Sequence, residues 1–420
     1  MTDLPLPRGV RDLMPNEAIF KNEVLARVER LMQKHGFTTI ETPAIESLKV
    51  LYAKGGIGED TKLVYELKSE DSGLRYDNTV PLARFVSTHQ ELPLPFKRYS
   101  IGKAWRREEP QHLRYREFSQ IDADIVGGME GVSDAEVIAL GCKILEELDI
   151  DYMVKISDRR IIDAILTKLQ VPIEKHIVVM RTIDKLDKVG IDGVAKLLSE
   201  DGIESSAIDS LINLITAKGS NEDKLKLVSS MVGSTSAAML SSVLDMLGHY
   251  KLNGSIEVDF SIIRGLDYYT GIVFEFKRAS IKESLGGGGR YDKLIGLYGG
   301  RDIPAVGFAM GVDRLLDILN FSASPILTYA KIFVVTVSEK NYPYALEVAN
   351  KLRAMGIATD INTSSKNIAN QLKYANSMHI PFAIIIGDAE EKEQKVKIRN
   401  LIDGSEVIAA IDEVPGLIKG

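Results

Sequence analysis

Between Lys97 and Gly127 the chain reads KRYSIGKAWRREEPQHLRYREFSQIDADIVG, a pattern of strand, charged loop and strand. Lys97, Arg98, Lys103, Arg106, Arg107, Arg114 and Arg116 place seven fixed positive charges in a chain whose formal net charge is −7. Guanidinium forks bond phosphate oxygens two at a time, so this run suits a polyphosphate. Asp122 and Asp124 follow, two residues apart. Residues at that spacing in a strand share one face. One hairpin could therefore hold a triphosphate at its loop and a small cation or ammonium group on its floor.

Three further segments carry chemistry. In LRYDNTVPLAR, Asp77 and Thr79 sit where a strand yields to a helix. The acid and hydroxyl can grip an ammonium group, or Asp77 can cap the helix. In RGLDYYTGIVFEF, Arg264, Asp267 and two tyrosines precede a strand, a pattern that also suits an ordinary core strand. In GGGGRYDKLIGLYGG, four glycines stand beside Arg290, Tyr291 and Asp292, which lets backbone come close to a ligand. The run is neither a Walker loop nor a dinucleotide fingerprint. Arg314 falls in the first turn of a helix after a glycine-rich strand, as an anion site or as half of a surface ion pair.

The elements that must position these residues follow from patterning. Apolar spacing predicts a helix over residues 16–35 with Gly36 as its stop. FTTIETPAIES is β-rich and broken by Pro43, an edge strand or a bend. Residues 63–67 and 73–76 suggest a hairpin, and TVPLARFVSTHQ a helix. Another helix spans 133–148, with Ser133 as N-cap and Glu136 closing a capping box. Helical patterns poor in aromatics fill 172–250. Strands return at 255–260 and 271–277, and 321–330 reads as a linker. Beyond it a regular α/β alternation predicts an independent domain with a mostly parallel sheet. The organisation is thus a first β-rich part at 1–170, a helical insertion at 171–250, a second β-rich part at 251–320, the linker, and a domain at 331–420.

Composition sets outer limits. The chain has 420 residues, 45% hydrophobic and 26% charged, as a globular protein of two to four domains would. Its acidity means that any nucleic acid must be held by local basic patches. The lone Cys142 excludes an intrachain disulfide and a multi-cysteine metal site, and its amphipathic setting predicts a buried thiol. No apolar run is long enough to cross a bilayer and no apolar leader is present, so a cytoplasmic protein without membrane contact is expected.

Taken in order, these segments resemble class II aminoacyl-tRNA synthetases, and among them the histidyl-tRNA synthetases. FTTIETPAIES resembles motif 1, KAWRREEPQHLRYREFSQIDADIVG motif 2, and PAVGFAMGVDRLL motif 3. RGLDYYTGIVFEF and GGGGRYD resemble two segments peculiar to the histidine enzymes. The C-terminal unit is similar to an anticodon-binding domain. The resemblance implies an α+β fold: a catalytic domain on an antiparallel sheet, with a helical insertion, plus a C-terminal α/β anticodon-binding domain. It also implies a homodimer that takes L-histidine, ATP with Mg²⁺, and tRNA(His), and that works through histidyl-adenylate.

Position by position, the resemblance implies the following roles. Arg106 would hold the α-phosphate, Glu108 the adenine amine, and Phe118 would stack on the ring. Arg116 and Arg314 would bind the γ-phosphate end, with Arg114 on the same loop. Asp77, Thr79 and Gln120 would surround the substrate ammonium. Asp124 and Tyr269 would read the imidazole nitrogens, with Tyr291 lining the pocket. Arg264 would touch carboxylate and α-phosphate, and its alanine variant should lose about 10²–10³ in adenylation rate. Gln111 would reach the acceptor end of the tRNA, and Lys366 to Met378 would form a helix near the anticodon. No residue is firmly assigned to a metal. Three positions depart from the common pattern: Asp77 and Asp124, where glutamate is usual, and Asn78, where a more apolar residue is usual. The rival reading is a non-catalytic synthetase-like regulatory subunit of ATP phosphoribosyltransferase; synthetases for proline, threonine or glycine share the C-terminal domain type.

Overall fold

The computed structural model describes residues 4–53, 61–263, 268–278, 280, 284–320, 326–364 and 366–418. They belong to two compact units, residues 1–11 with 24–319 and residues 12–23 with 320–420.

The first unit begins its strands with β1 (Thr38–Thr39), β2 (Ile45–Ser47), β3 (Tyr65–Glu66) and β4 (Ser72–Leu74). The long pair β5 (Phe96–Trp105) and β6 (Glu117–Val126) follows, then β7 (Met153–Asp158) and β8 (Ser255–Val258). β9 (Ile272–Lys277), β10 (Gly286–Arg290) and β11 (Ala305–Gly311) complete the set. Eight of them form one sheet in the order β1-β5-β6-β11-β10-β9-β7-β8. The six inner strands are antiparallel throughout, as expected, and only the outer β1 and β8 pair in parallel. The other three make a small sheet in the order β2-β4-β3. Pro43 thus separates two strands that belong to different sheets. A residue that cannot donate to a ladder suits that crossing.

Glycine composes most of β10 because its neighbours leave no room. A Cβ on Gly288 would lie 1.8 Å from the Gly307 carbonyl oxygen. The helix Val132–Glu147 packs across β6, β9 and β11 and buries Val137, Ile138, Leu140 and Ile144. Its start differs from expectation. Gly131 is the N-cap, and the Asp134 carboxylate accepts from the Gly131 amide at 2.7 Å. Ser133 lies inside the first turn and donates to Met129 O, so it caps nothing. Glu136 instead accepts from Lys97 and from the Tyr250 hydroxyl. A short side chain at Ser133 could have done the capping, but the backbone turns two residues earlier, where Gly131 takes a positive φ of 80°.

Five helices fill residues 173–248: Ile173–Ile183, Leu186–Glu200, Ser205–Ile215, Asn221–Val232 and Ser234–Gly248. The second is broken at Gly190 (φ 72°, ψ 175°). The last packs on Val132–Glu147 and on the helix Arg159–Lys168. Among the described residues no helix is long and apolar enough to cross a membrane.

The second unit carries β12 (Ile332–Thr336), β13 (Thr359–Ile361), β14 (Phe382–Ile386), β15 (Val396–Asn400) and β16 (Glu406–Ala409) in the order β13-β12-β14-β15-β16. Only the pairings of β12 with β13 and β14 are parallel. β14, β15 and β16 are antiparallel, so the sheet is mixed rather than mostly parallel. The reason is connection length. Helices of 13 and 10 residues cross back between the parallel strands, whereas only a six-residue helix joins β14 to β15 and a short turn joins β15 to β16, and both connections reverse direction.

Candidate active site

A cleft of about 320 Å³ opens over β6, β10 and β11. Its floor is built by strand alternation. Gln120, Asp122 and Asp124 lie at i, i+2 and i+4 of β6 and all line it. The neighbouring strand makes room for the last of them, because a Cβ on Gly307 would lie 1.9 Å from Asp124 Oδ1. From the other side comes Asp77, just ahead of the helix Thr79–Thr88. Asp77 Oδ1 accepts from the amides of Thr79 and Val80 at 3.2 and 3.0 Å, so the acid does cap that helix. Its other oxygen, Oδ2, is buried and has no hydrogen-bond partner among the described residues. Both readings of Asp77 therefore have an oxygen available to them.

The floor is strongly acidic for so buried a place. Asp77, Asp122 and Asp124 are 4%, 1% and 2% exposed, and the buried guanidinium groups of Arg98 and Arg75 act on them. Arg98 Nη2 lies 2.7 Å from Asp124 Oδ2. The contact is an ion pair whose angle misses that of a hydrogen bond, so Oδ2 has no hydrogen-bond donor. Arg98 also donates to the Asn78 carbonyl at 3.1 Å. The Tyr291 hydroxyl donates to Asp124 Oδ1, and Asn78 Nδ2 donates to Asp122 Oδ2 at 2.7 Å. Burial raises all three carboxyls above their ordinary range, against the pull of Arg98. Asp122 is pushed up to about 7. Burial also drives the Tyr291 hydroxyl well up, which keeps it a donor to Asp124.

The mouth of the cleft is cationic. Arg106 donates to Tyr76 O at 3.0 Å and its guanidinium lies 5.2 Å from the centre of the Phe118 ring. Glu108 pairs with Arg114. Arg314 donates to the Ser284 carbonyl. Beside it, Asp313 pairs with Arg11 at 2.6 Å. Arg106, Glu108, Arg114, Phe118 and Arg314 all line the cleft.

The structure therefore gathers most of the expected site residues: Asp77, Thr79, Gln120, Asp124, Tyr269 and Tyr291 on the inner part, and the five just named at the mouth. Arg116 and Gln111 stay outside the lining. Arg116 Nε donates to Glu108 O at 2.9 Å, and Gln111 bridges to Arg114 within the loop. Arg264 and Asp267 lie outside the described residues.

The seven-charge reading needs correction. Arg98 is buried under Asp124 on the floor rather than at the loop. Lys97 pairs with Glu136 at 3.0 Å, and Lys103 pairs with Glu117. Strand β5 alternates, so charges that are close in sequence point to different partners. Arg290 also turns from the cleft. It is 1% exposed and pairs with Asp134 and Asp292, which anchors the residue before Tyr291. Residues whose part in the cleft sequence reading missed are Asn78, Arg98, Asp313 and Tyr268. The departure at Asn78, a polar residue where a more apolar one is usual, was the one available signal.

A family model for histidyl-tRNA synthetase matches residues 9–315. The chain belongs to the histidyl-tRNA synthetase family. A second model, for an anticodon-binding domain, matches residues 331–420. The histidine–tRNA ligase of Korarchaeum cryptofilum is 36% identical over 97% of this chain and 98% of its own length. That of Aeropyrum pernix is 36% identical over 97% and 96%. A crystal structure of histidyl-tRNA synthetase from Nostoc sp. superposes with a TM-score of 0.86 at 29% identity, covering 100% of this chain and 99% of that one. The fold is shared more widely. A structure described as an ATP phosphoribosyltransferase regulatory subunit/histidyl-tRNA synthetase from Bacillus halodurans gives a TM-score of 0.75 at 22% identity, over 89% and 96% of the two chains.

Proposed function

We propose that the cleft brings histidine and ATP together, with the amino acid on the acidic floor and the triphosphate at the cationic mouth. The chain is a histidine–tRNA ligase. It attaches histidine to tRNA(His) at the expense of ATP, through histidyl-adenylate. One observation carries the assignment of places: buried acceptors without donors and the guanidinium groups of Arg106, Arg114 and Arg314 line the same cleft.

The first step joins a histidine carboxylate oxygen to the α-phosphorus, and the bond from that phosphorus to pyrophosphate breaks. Two anions must meet, so the barrier is largely electrostatic. Arg106, fixed by Tyr76 O and Phe118, is suited to hold the α-phosphate. Arg114 and Arg314 are suited to the β- and γ-phosphates, with Arg116 joining from the same loop, and Glu108 to the adenine amine. Arg264 is assigned to carboxylate and α-phosphate. No general base is required, because the attacking carboxylate is already ionised. In the second step a terminal ribose hydroxyl of the tRNA attacks the carbonyl carbon and AMP leaves. Gln111 is placed in the loop that would meet that end.

Selection of the side chain falls to Asp124, Tyr269 and Tyr291. A neutral imidazole has one donor and one acceptor nitrogen, and a site that pairs both rejects apolar isosteres without editing. Asp77 Oδ2, Thr79 and Gln120 Oε1 are suited to the ammonium. Mg²⁺ supplies charge neutralisation to the phosphates when bound. No group of three or more candidate ligands occurs among the described residues, which fits an ion carried in by the triphosphate rather than one caged by protein. The active form is proposed to be a cytoplasmic homodimer, and the 331–420 domain to bind the anticodon, with the helix Ile368–Ser377 at its contact surface.

ATP–pyrophosphate exchange with each amino acid in turn tests this assignment. Histidine alone should support it, and chelation of Mg²⁺ should stop it. Exchange with proline, threonine or glycine, or none at all, would overturn it.

A further inference from the structure

Asp122 has no part in the roles above, yet it lies at the centre of the floor. It is 1% exposed and lines the cleft. Its Oδ2 accepts from Asn78 Nδ2 at 2.7 Å, whereas Oδ1 has no hydrogen-bond donor among the described residues. Gln120 Oε1 and Asp77 Oδ2 are buried and lack donors in the same way. The buried cations around them are already committed: Arg98 to Asp124 and the Asn78 carbonyl, and Arg75 to the Lys103 and Thr42 carbonyls.

We infer that Asp122 is a further acceptor for the α-ammonium group of the substrate, held in position by Asn78. The inference rests on the histidine reading given above. An ammonium group brings three donors and no acceptor. Lining the cleft, Asp77, Gln120 and Asp122 each present an acceptor atom without a donor, whereas the donor-less Asp124 Oδ2 is already ion-paired with Arg98. A buried carboxylate oxygen left unpaired is costly, and a cationic ligand offsets that cost. Asn78 is a positioning residue: its amide fixes one Asp122 oxygen and so aims the other. Strand alternation supports the same geometry, since Asp122 lies two residues from Gln120 on one face of β6.

A purely structural role would make Asp122 a support for Asn78, and its loss would disturb every ligand alike. Three ligands separate the two cases: histidine, histamine (ammonium but no carboxylate) and imidazolepropionate (carboxylate but no ammonium). Calorimetric titration of the full chain gives their affinities. In Asp122→Asn, histidine and histamine should bind roughly 10- to 100-fold more weakly, the scale of a charge-assisted hydrogen bond, while imidazolepropionate changes by less than about threefold. Asn78→Ala should shift affinities in the same selective direction by a smaller factor, and it carries the test if Asp122→Asn does not fold. Equal losses for all three ligands, or unchanged histamine binding, would overturn the inference. Failure of the wild-type chain to bind histidine would instead overturn the underlying reading.

Discussion

Arg98 and Asp124 face each other across β5 and β6 as a direct cross-strand pair, with Nη2 2.7 Å from Oδ2 and both side chains sealed from solvent. Arg98 is the cation in direct ionic contact with this floor of three buried carboxyls, with Arg75 and Arg106 acting on it from further off. Removing one member of a buried ion pair leaves the other uncompensated. Arg98→Leu should therefore lower stability by about 3–5 kcal/mol, with Asp124→Asn partly restoring it in the double variant. Denaturant unfolding of the singles and the double checks this. A single-variant loss under about 1 kcal/mol would mean that water, not Arg98, satisfies the carboxylate.

Asp122 links the same floor to pH. Its folded pKa, about 7, lies above the ordinary carboxylate value of 3.8, chiefly through burial. The folded chain therefore holds a proton that the unfolded chain has already lost. Stability from this group is fully present below the ordinary value and is lost as pH rises towards about 7. Asp122→Asn removes the titration and keeps an acceptor for Asn78. The ligand-free variant should be more stable than wild type at pH 8, by on the order of a few kcal/mol, and the gap should close towards pH 4. Thermal melting across that range reads it directly. A gap that is independent of pH would contradict the argument. A variant that gains stability while losing histidine affinity would be the usual exchange at a functional site.

Gly307 is expected to be intolerant of any side chain. An added Cβ would sit 1.9 Å from Asp124 Oδ1 and 2.4 Å from its Cγ, in a strand that cannot move without breaking pairs with both β6 and β10. Gly307→Ala should cost about 1–3 kcal/mol by overpacking and should raise the KM for histidine more than the KM for ATP. Equal effects on the two substrates would show that Asp124 is not displaced.

At the other end of the cleft, Arg106→Ala should lower the exchange rate by about 10²–10³ with little change in the KM for histidine. Arg106 is held by a backbone carbonyl and by the Phe118 ring, so it is already aimed before ligand arrives. An exchange rate within a few-fold of wild type would remove it from the mechanism.

Much of this site was open to sequence reasoning because local rules suffice for it. Period-two alternation places Gln120, Asp122 and Asp124 on one face of β6 whatever the rest of the chain does. The strand-to-helix switch at Asp77 and the glycine-rich β10 are local as well. Ser133 shows the limit of local reasoning, since a capping pattern fits two registers and packing selects one. The mixed sheet of the second unit depended on the short β15–β16 turn, a matter of geometry rather than composition.

From sequence alone came the chemical inventory: fixed cations beside a strand of spaced acids, and the ordered segments that mark the histidyl-tRNA synthetase family. Tertiary structure decided which cation meets which anion. Arg98 and Arg106 are the same residue type on one hairpin, yet one is buried against Asp124 and the other reaches the mouth beside Phe118. The difference is set by what the neighbouring strands and the helix Thr79–Thr88 bring to each position. A charge states what it can bind, but burial and the partners packed around it determine whether it remains available to do so.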